Sequence, residues 1–170
     1  MHLCNMISVT AYRSIQTMAP HARVWVYKSA KPFTAEQRTA ILARGHAFTK
    51  SWAAHGAALD ACVDVLHDHF VVIAVDEQQA MASGCSIDKS VQLVQTLERE
   101  LGLQLTDRMV VLYDKDGVIA TCRVTEVEDL IKSGELTAET IVFDDLVGTK
   151  ADLDHRFRAR LGDTWMARYL

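Results

Sequence analysis

Hydrophobic and polar residues change period several times along the chain, and each change marks an element. Val24-Trp25-Val26-Tyr27 is β-branched and aromatic and is halted by the small and cyclic residues of 29–32, which predicts a strand and a turn. Thr34 with Gln37 three residues on forms a capping box, and Ile41, Leu42, Phe48 and Trp52 follow near helical spacing up to Gly56. A helix is predicted over 35–54, with His55 at its C-terminal end. Apolar and polar residues alternate imperfectly over 59–66, and after His67-Asp68 the run 70–75 is apolar throughout. Together they predict a hairpin whose second strand is buried on both faces. Residues 76–84 read as a small, polar loop, after which Ile87, Val91, Val94, Leu97 and Leu101 give an amphipathic stripe stopped by Gly102. A second hairpin, 109–113 with 118–124, turns at Asp114-Lys115-Asp116-Gly117. Val127, Leu130 and Ile131 predict a short helix closed by Gly134, 140–143 a last strand, and the chain from 150 onward a charged tail around the domain.

The order strand, helix, strand, strand, helix, strand matches an α+β fold: a ferredoxin-like split βαβ sandwich (βαββαβ) with an extra hairpin and a C-terminal tail, in one domain over 22–170. Residues 1–21 are expected to form an N-terminal extension outside it, because they carry no repeated apolar pattern and Met18 before Ala19-Pro20 is a candidate translation start. At 170 residues, 49% apolar and 24% charged, the chain can bury about two thirds of its unfolded surface, which excludes a fibre or a disordered polymer. Lys and Arg number 18 against 22 Asp and Glu, so no basic field exists to hold nucleic acid. The longest apolar run, 70–75, is far short of the ~20 residues of a membrane helix, and no membrane span is expected. Cys4, Cys62, Cys85 and Cys122 are scattered with no CxxC pair, which points to reduced thiols and a cytoplasmic setting.

Chemistry concentrates where the buried strand ends. Asp76 and Glu77 are followed by a small-residue loop and a helix start at Ser83-Gly84-Cys85-Ser86-Ile87-Asp88. Free amides and the dipole at a helix N-terminus favour an anion and acidify a thiol. One expectation is therefore a binding site in which Asp76, Ser83, Gly84, Ser86 and Asp88 frame a small anionic ligand or a protein partner. The other is a cysteine-dependent enzyme, with Cys85 as nucleophile or redox thiol, His55 as base and the Ser86 amide as oxyanion donor. Against both stands a scaffold reading: Ser83 or Ser86 caps the helix, Asp88 is a first-turn carboxylate that repels anions, Gly84 permits close packing and Cys85 is a small buried hydrophobe. Lys89-Ser90 invites comparison with the phosphate loop GxxxxGK[ST], but Ser83 and Asp88 stand where its glycines belong, so that motif is excluded. His67 and His69, two apart near Asp64 and Asp68, are metal-capable, yet no HExxH or cysteine pair joins them, and neither metal nor cofactor is expected. Trp25, Trp52 and Trp165 are expected as core or tail anchors, and Asp144-Asp145 with Thr149-Lys150 as a polar loop able to touch a ligand.

Several blocks taken together, Val24-Trp25-Val26-Tyr27, Trp52-Ala53-Ala54-His55-Gly56, Val75-Asp76-Glu77, the stretch 82–91 around Gly84-Cys85-Ser86 and the stretch 140–147, resemble a small bacterial family of Bacteroidetes type. The resemblance runs from about residue 22 to the end, and members often carry the label "ABC transporter ATPase". It implies a start near Met18 and supplies no catalytic role for Cys85 or Asp88. The label implies a phosphate loop and an LSGGQ-type signature on a longer chain, and the sequence has neither motif.

Overall fold

The computed structural model describes residues 13–170. Strand β1 (Arg23–Lys28) leads to helix α1 (Ala35–Ser51), whose capping box is complete: the Thr34 hydroxyl accepts the Gln37 N–H at 3.1 Å, and Gln37 Oε1 accepts the Thr34 N–H at 2.9 Å. A two-rung ribbon, β2 (Ala53–Ala54) and β3 (Ala57–Ala58), precedes the hairpin β4 (Asp60–Leu66) and β5 (Phe70–Asp76). After helix α2 (Gly84–Leu101) come β6 (Val110–Lys115), β7 (Val118–Arg123), the short helix α3 (Val127–Lys132), β8 (Ile141–Phe143), α4 (Lys150–Arg156) and β9 (Arg158–Arg160). All strand pairs are antiparallel, in a three-stranded sheet β1-β5-β4, the ribbon, and a four-stranded sheet β7-β6-β8-β9.

The apolar run 70–75 is buried at every residue because β5 is the middle strand of a sheet covered on both faces. Val63, Val71, Ile73 and Val75 face Ile41 of α1, Val94 and Leu97 of α2, and Trp52. Cys62, Phe70, Val72 and Ala74 face Val110, Leu112, Phe143 and Phe157 of the second sheet region. The far face of that sheet, with Val111, Tyr113 and Val142, is closed by Val127, Leu136, Leu161 and Met166. The result is a helix layer, two sheets and a thin outer cover.

The α+β class holds, but the ferredoxin-like strand order does not. The order β1-β5-β4 follows the split βαβ unit, yet the strand after α2, which that sandwich would seat beside β1, founds the second sheet instead. Residues 110–113 are buried on both alternating faces, so β6 needs a cover on each side, and only a sheet stacked under the first provides it. The tail from 150 is correspondingly structured, supplying α4 and the edge strand β9. The expectation of an extension up to residue 21 is corrected for 13–21: Ile15 and Met18 lie in the core between the sheets, Asp64 accepts hydrogen bonds from the Ser14 hydroxyl (3.1 Å) and the Ile15 N–H (3.0 Å), and Arg13 pairs with Asp60. Residues 1–12, with Cys4, lie outside the described residues. Among the described residues no helix is long and apolar enough to cross a membrane.

Three hairpins share one turn chemistry. His55-Gly56 and Asp116-Gly117, each a two-residue loop, and His67-Asp68, the first two residues of the three-residue loop 67–69, all take positive φ, which matches the strand twist. Helix α1 therefore ends at Ser51, and His55 is a turn residue of the ribbon rather than a helix-terminal cation.

Helix α1 lies on β4 at Gly45, where an added Cβ would stand 2.5 Å from Val63 Cβ. Gly45→Ala is expected to destabilise by roughly 1–3 kcal/mol despite alanine's better helix propensity, because branched Val63 has no room to yield. Gly84→Ala, where an added Cβ meets nothing within 4 Å, leaves stability equal or higher. Thermal melting of the two variants checks this: Gly45→Ala melting at or above the parent temperature would contradict the close approach.

Candidate functional site

At the start of α2 the polar groups serve the scaffold. Ser83 Oγ accepts the Ser86 N–H at 3.2 Å, Ser86 Oγ donates to the Ser83 carbonyl at 2.8 Å, and Trp52 Nε1 donates to the Ser86 carbonyl at 2.8 Å. Ser86 and Ser90 are buried, and Ser90 Oγ donates back to the Ile87 carbonyl at 2.6 Å. Because Ser83 is the cap, the helix begins at Gly84, which moves Asp88 beyond the first turn and removes its expected role at the dipole. Gly84 faces open space, so it does not serve close packing.

Cys85 is exposed rather than a buried hydrophobe. Burial pushes the Cys62 thiol up to about 12 and the Cys122 thiol up to about 11, so these two are inert packing groups. His55 is exposed in the β2–β3 turn, and no hydrogen bond or ion pair joins it to Cys85.

The acids ending β5 are likewise engaged. Asp76 is hydrogen-bonded to His21 Nε2 (2.9 Å) and accepts the Gln78 N–H (3.0 Å), and these bonds hold its carboxyl below the ordinary range. Glu77 accepts the Ala82 N–H at 3.1 Å and lies 3.9 Å from Arg23. His67 and His69 diverge: His69 is buried and its Nδ1 donates to the Ser29 carbonyl at 2.8 Å, whereas His67 packs on the rings of Phe143 and Phe157, where burial lowers its pKa. Among the described residues no three His, Cys, Asp or Glu side chains converge to hold a metal.

A different place has the shape of a site. Along the outer edge of β1 runs a groove of about 710 Å³, floored by 23–28 and walled by Val91 of α2, residues 105–108, residues 145–148 and Trp165. It occupies the space a further strand would fill. The Val24 N–H points away from β5 to the Gly148 carbonyl at 3.0 Å, and Thr149 makes a single bridge to Arg23. With the strand period of two, Val26 and Lys28 turn their N–H and C=O groups the same way, into the groove, where no described residue bonds them. Of the three tryptophans expected as core or tail anchors, Trp52 is fully in the core, while Trp25 and Trp165 pack half-buried against core clusters and also line the groove. Leu146 stands on the wall 70% exposed.

Charges are unevenly satisfied there. Lys28, 7% exposed, pairs with Asp145 at 2.9 Å, so the polar loop read at Asp144-Asp145 contributes its second acid to the groove. Asp107 is held by Arg123 at 2.6 Å, and the Arg23 guanidinium lies 4.6 Å over the Trp25 ring. Arg108 is exposed and makes no ion pair with a described residue. The sequence signal for this groove was weak, since an open edge is the absence of a neighbour.

Native alkylation at pH 8 followed by peptide mass mapping is expected to label Cys85 and spare Cys62 and Cys122. Prompt labelling of either buried thiol would contradict the packing. Asp145→Ala strands Lys28 without its partner and is expected to lose about 3–5 kcal/mol in urea unfolding, and the double replacement Lys28→Met with Asp145→Leu much less. Compared with family models, with curated proteins and with solved structures, the chain matches none.

Proposed function

We propose that the protein is a binding domain that takes up an extended segment of a partner protein as an added strand on β1. The observation that carries this is the row of Val26 and Lys28 backbone groups that no described residue bonds, lying in a groove with aromatic and apolar walls. An open strand edge invites indiscriminate pairing, and proteins usually blunt it. Here residues 105–108 and 145–148 flank the edge as walls, which guards it against indiscriminate pairing with another sheet. Strand addition draws affinity from main-chain bonds and selectivity from pockets for alternate side chains. The segment 76–90 adjoins this site at one end through the Arg23 contact of Glu77, and Val91 just beyond it forms part of the wall.

The reading in which the helix start holds a small anion has less support, because Ser83 already satisfies the Ser86 amide. The cysteine-enzyme reading keeps one favourable observation, the exposed Cys85 thiol, and no described side chain is bonded to it as a base. A cytoplasmic setting and kinship with the bacterial family resembled through 82–91 belong to the same proposal and add no mechanism.

Panning a phage-displayed hexapeptide library on the protein tests the proposal. Selected peptides are expected to lose at least tenfold in affinity on Val26→Pro, which removes one groove-facing N–H at a position where an edge strand tolerates proline, and to bind Cys85→Ala unchanged. Leu146→Asp, at an exposed wall position, provides a second variant independent of β1 packing. Equal affinity for parent, Val26→Pro and Leu146→Asp would rule the edge out as the site.

A further inference from the structure

Resting on that binding reading, we infer that the segment docking on β1 carries an acidic side chain that pairs with Arg108. Five ionised side chains line the groove: Arg23, Lys28, Asp107, Arg108 and Asp145. Lys28 and Asp145 neutralise each other at 2.9 Å, Asp107 is taken by Arg123 at 2.6 Å, and Arg23 is shared between Glu77 at 3.9 Å and the Trp25 ring. That leaves Arg108 as the lining cation without an ion pair among the described residues. Its charge acts on the Tyr27 phenol, which sets it toward the Lys28 end of the groove.

A strand laid on β1 removes water from whatever it covers. A neutral or basic segment would leave the Arg108 guanidinium stripped of water and unbalanced, whereas a carboxylate meets its fork of N–H donors with two parallel bonds. Gly148 and Thr149 already take the Arg23–Val24 end of the edge, so the open stretch is 25–28. At about 3.3 Å per residue this admits roughly four or five residues of partner, with apolar side chains toward Leu105, Leu146 and the half-buried rings of Trp25 and Tyr27. The partner is thus a short, extended, apolar stretch interrupted by a Glu or Asp.

The experiment pans the hexapeptide library in parallel on the full chain and on Arg108→Glu. Glu and Asp are expected to be enriched at one position on the parent and to give way to Lys and Arg on the variant. The best parent peptide should weaken at least tenfold on Arg108→Glu, and its association should slow between 0.05 and about 0.5 M salt, where the attraction of the still-solvated charges on approach is screened. Peptides that are sensitive to Val26→Pro but show no acidic enrichment, or that bind Arg108→Glu as tightly as the parent, overturn the acidic partner and leave the edge site standing. Loss of binding on amidating the C-terminus of the best synthetic peptide would assign the carboxylate to a chain end and overturn the side-chain assignment. If no selected peptide responds to Val26→Pro, both readings fall together. Arg108 is exposed, so matched melting temperatures for parent and variant are expected and confirm that the comparison reads binding.

Discussion

The structure depends on the double burial of β5. Its six consecutive apolar residues from Phe70 to Val75 can leave water only if both faces of their sheet are covered. The helices cover one face, and no element of a two-layer sandwich is left for the other. The second sheet exists to cover that face, and its own exposed side then requires the outer cover formed by α3 and the C-terminal turns. Layer upon layer follows from one strand that has no polar side.

Much of this was legible residue by residue, because periodicity and turn chemistry are local. The capping box at Thr34 and Gln37, the stripe from Ile87 to Leu101 and the Asp116-Gly117 turn each carried their own signal. Pairing partners were not legible, since alternation shows that a strand is covered but not by what. The run 110–113 reads the same whether β6 joins β1 or stacks beneath it. Gly56 misled for a related reason: a glycine after a helical pattern serves equally as a helix stop or as the second residue of a tight turn, and the ribbon took the second option. In 13–21, Ile15 and Met18 were too sparse a pattern to announce that they reach the core.

The candidate chemistry divided along the same line. Residues chosen for their reactive side chains, Ser83, Ser86 and Asp76, turned out to spend their hydrogen bonds holding the α2 start and the loop before it. What the sequence could not announce was unused backbone: Val26 is an ordinary core-facing valine, and its N–H and C=O are open because no described residue pairs with this edge of β1 beyond Arg23 and Val24. The binding capacity proposed for the edge of β1 would be a property of topology, with Arg108 as its side-chain marker.

The register of β1 on β5 has a kinetic corollary. The β4–β5 hairpin closes through the three residues 67–69, but Lys28 meets Phe70 across 42 steps of chain (70 − 28) and Arg23 meets Val75 across 52 (75 − 23). Such distant contacts raise contact order, and closing these long loops costs chain entropy that the local hairpins do not incur. The groove edge exists only once β1 is seated on β5, so a chain that holds only its local hairpins does not present it, and an occupant of that edge would read the assembled sheet.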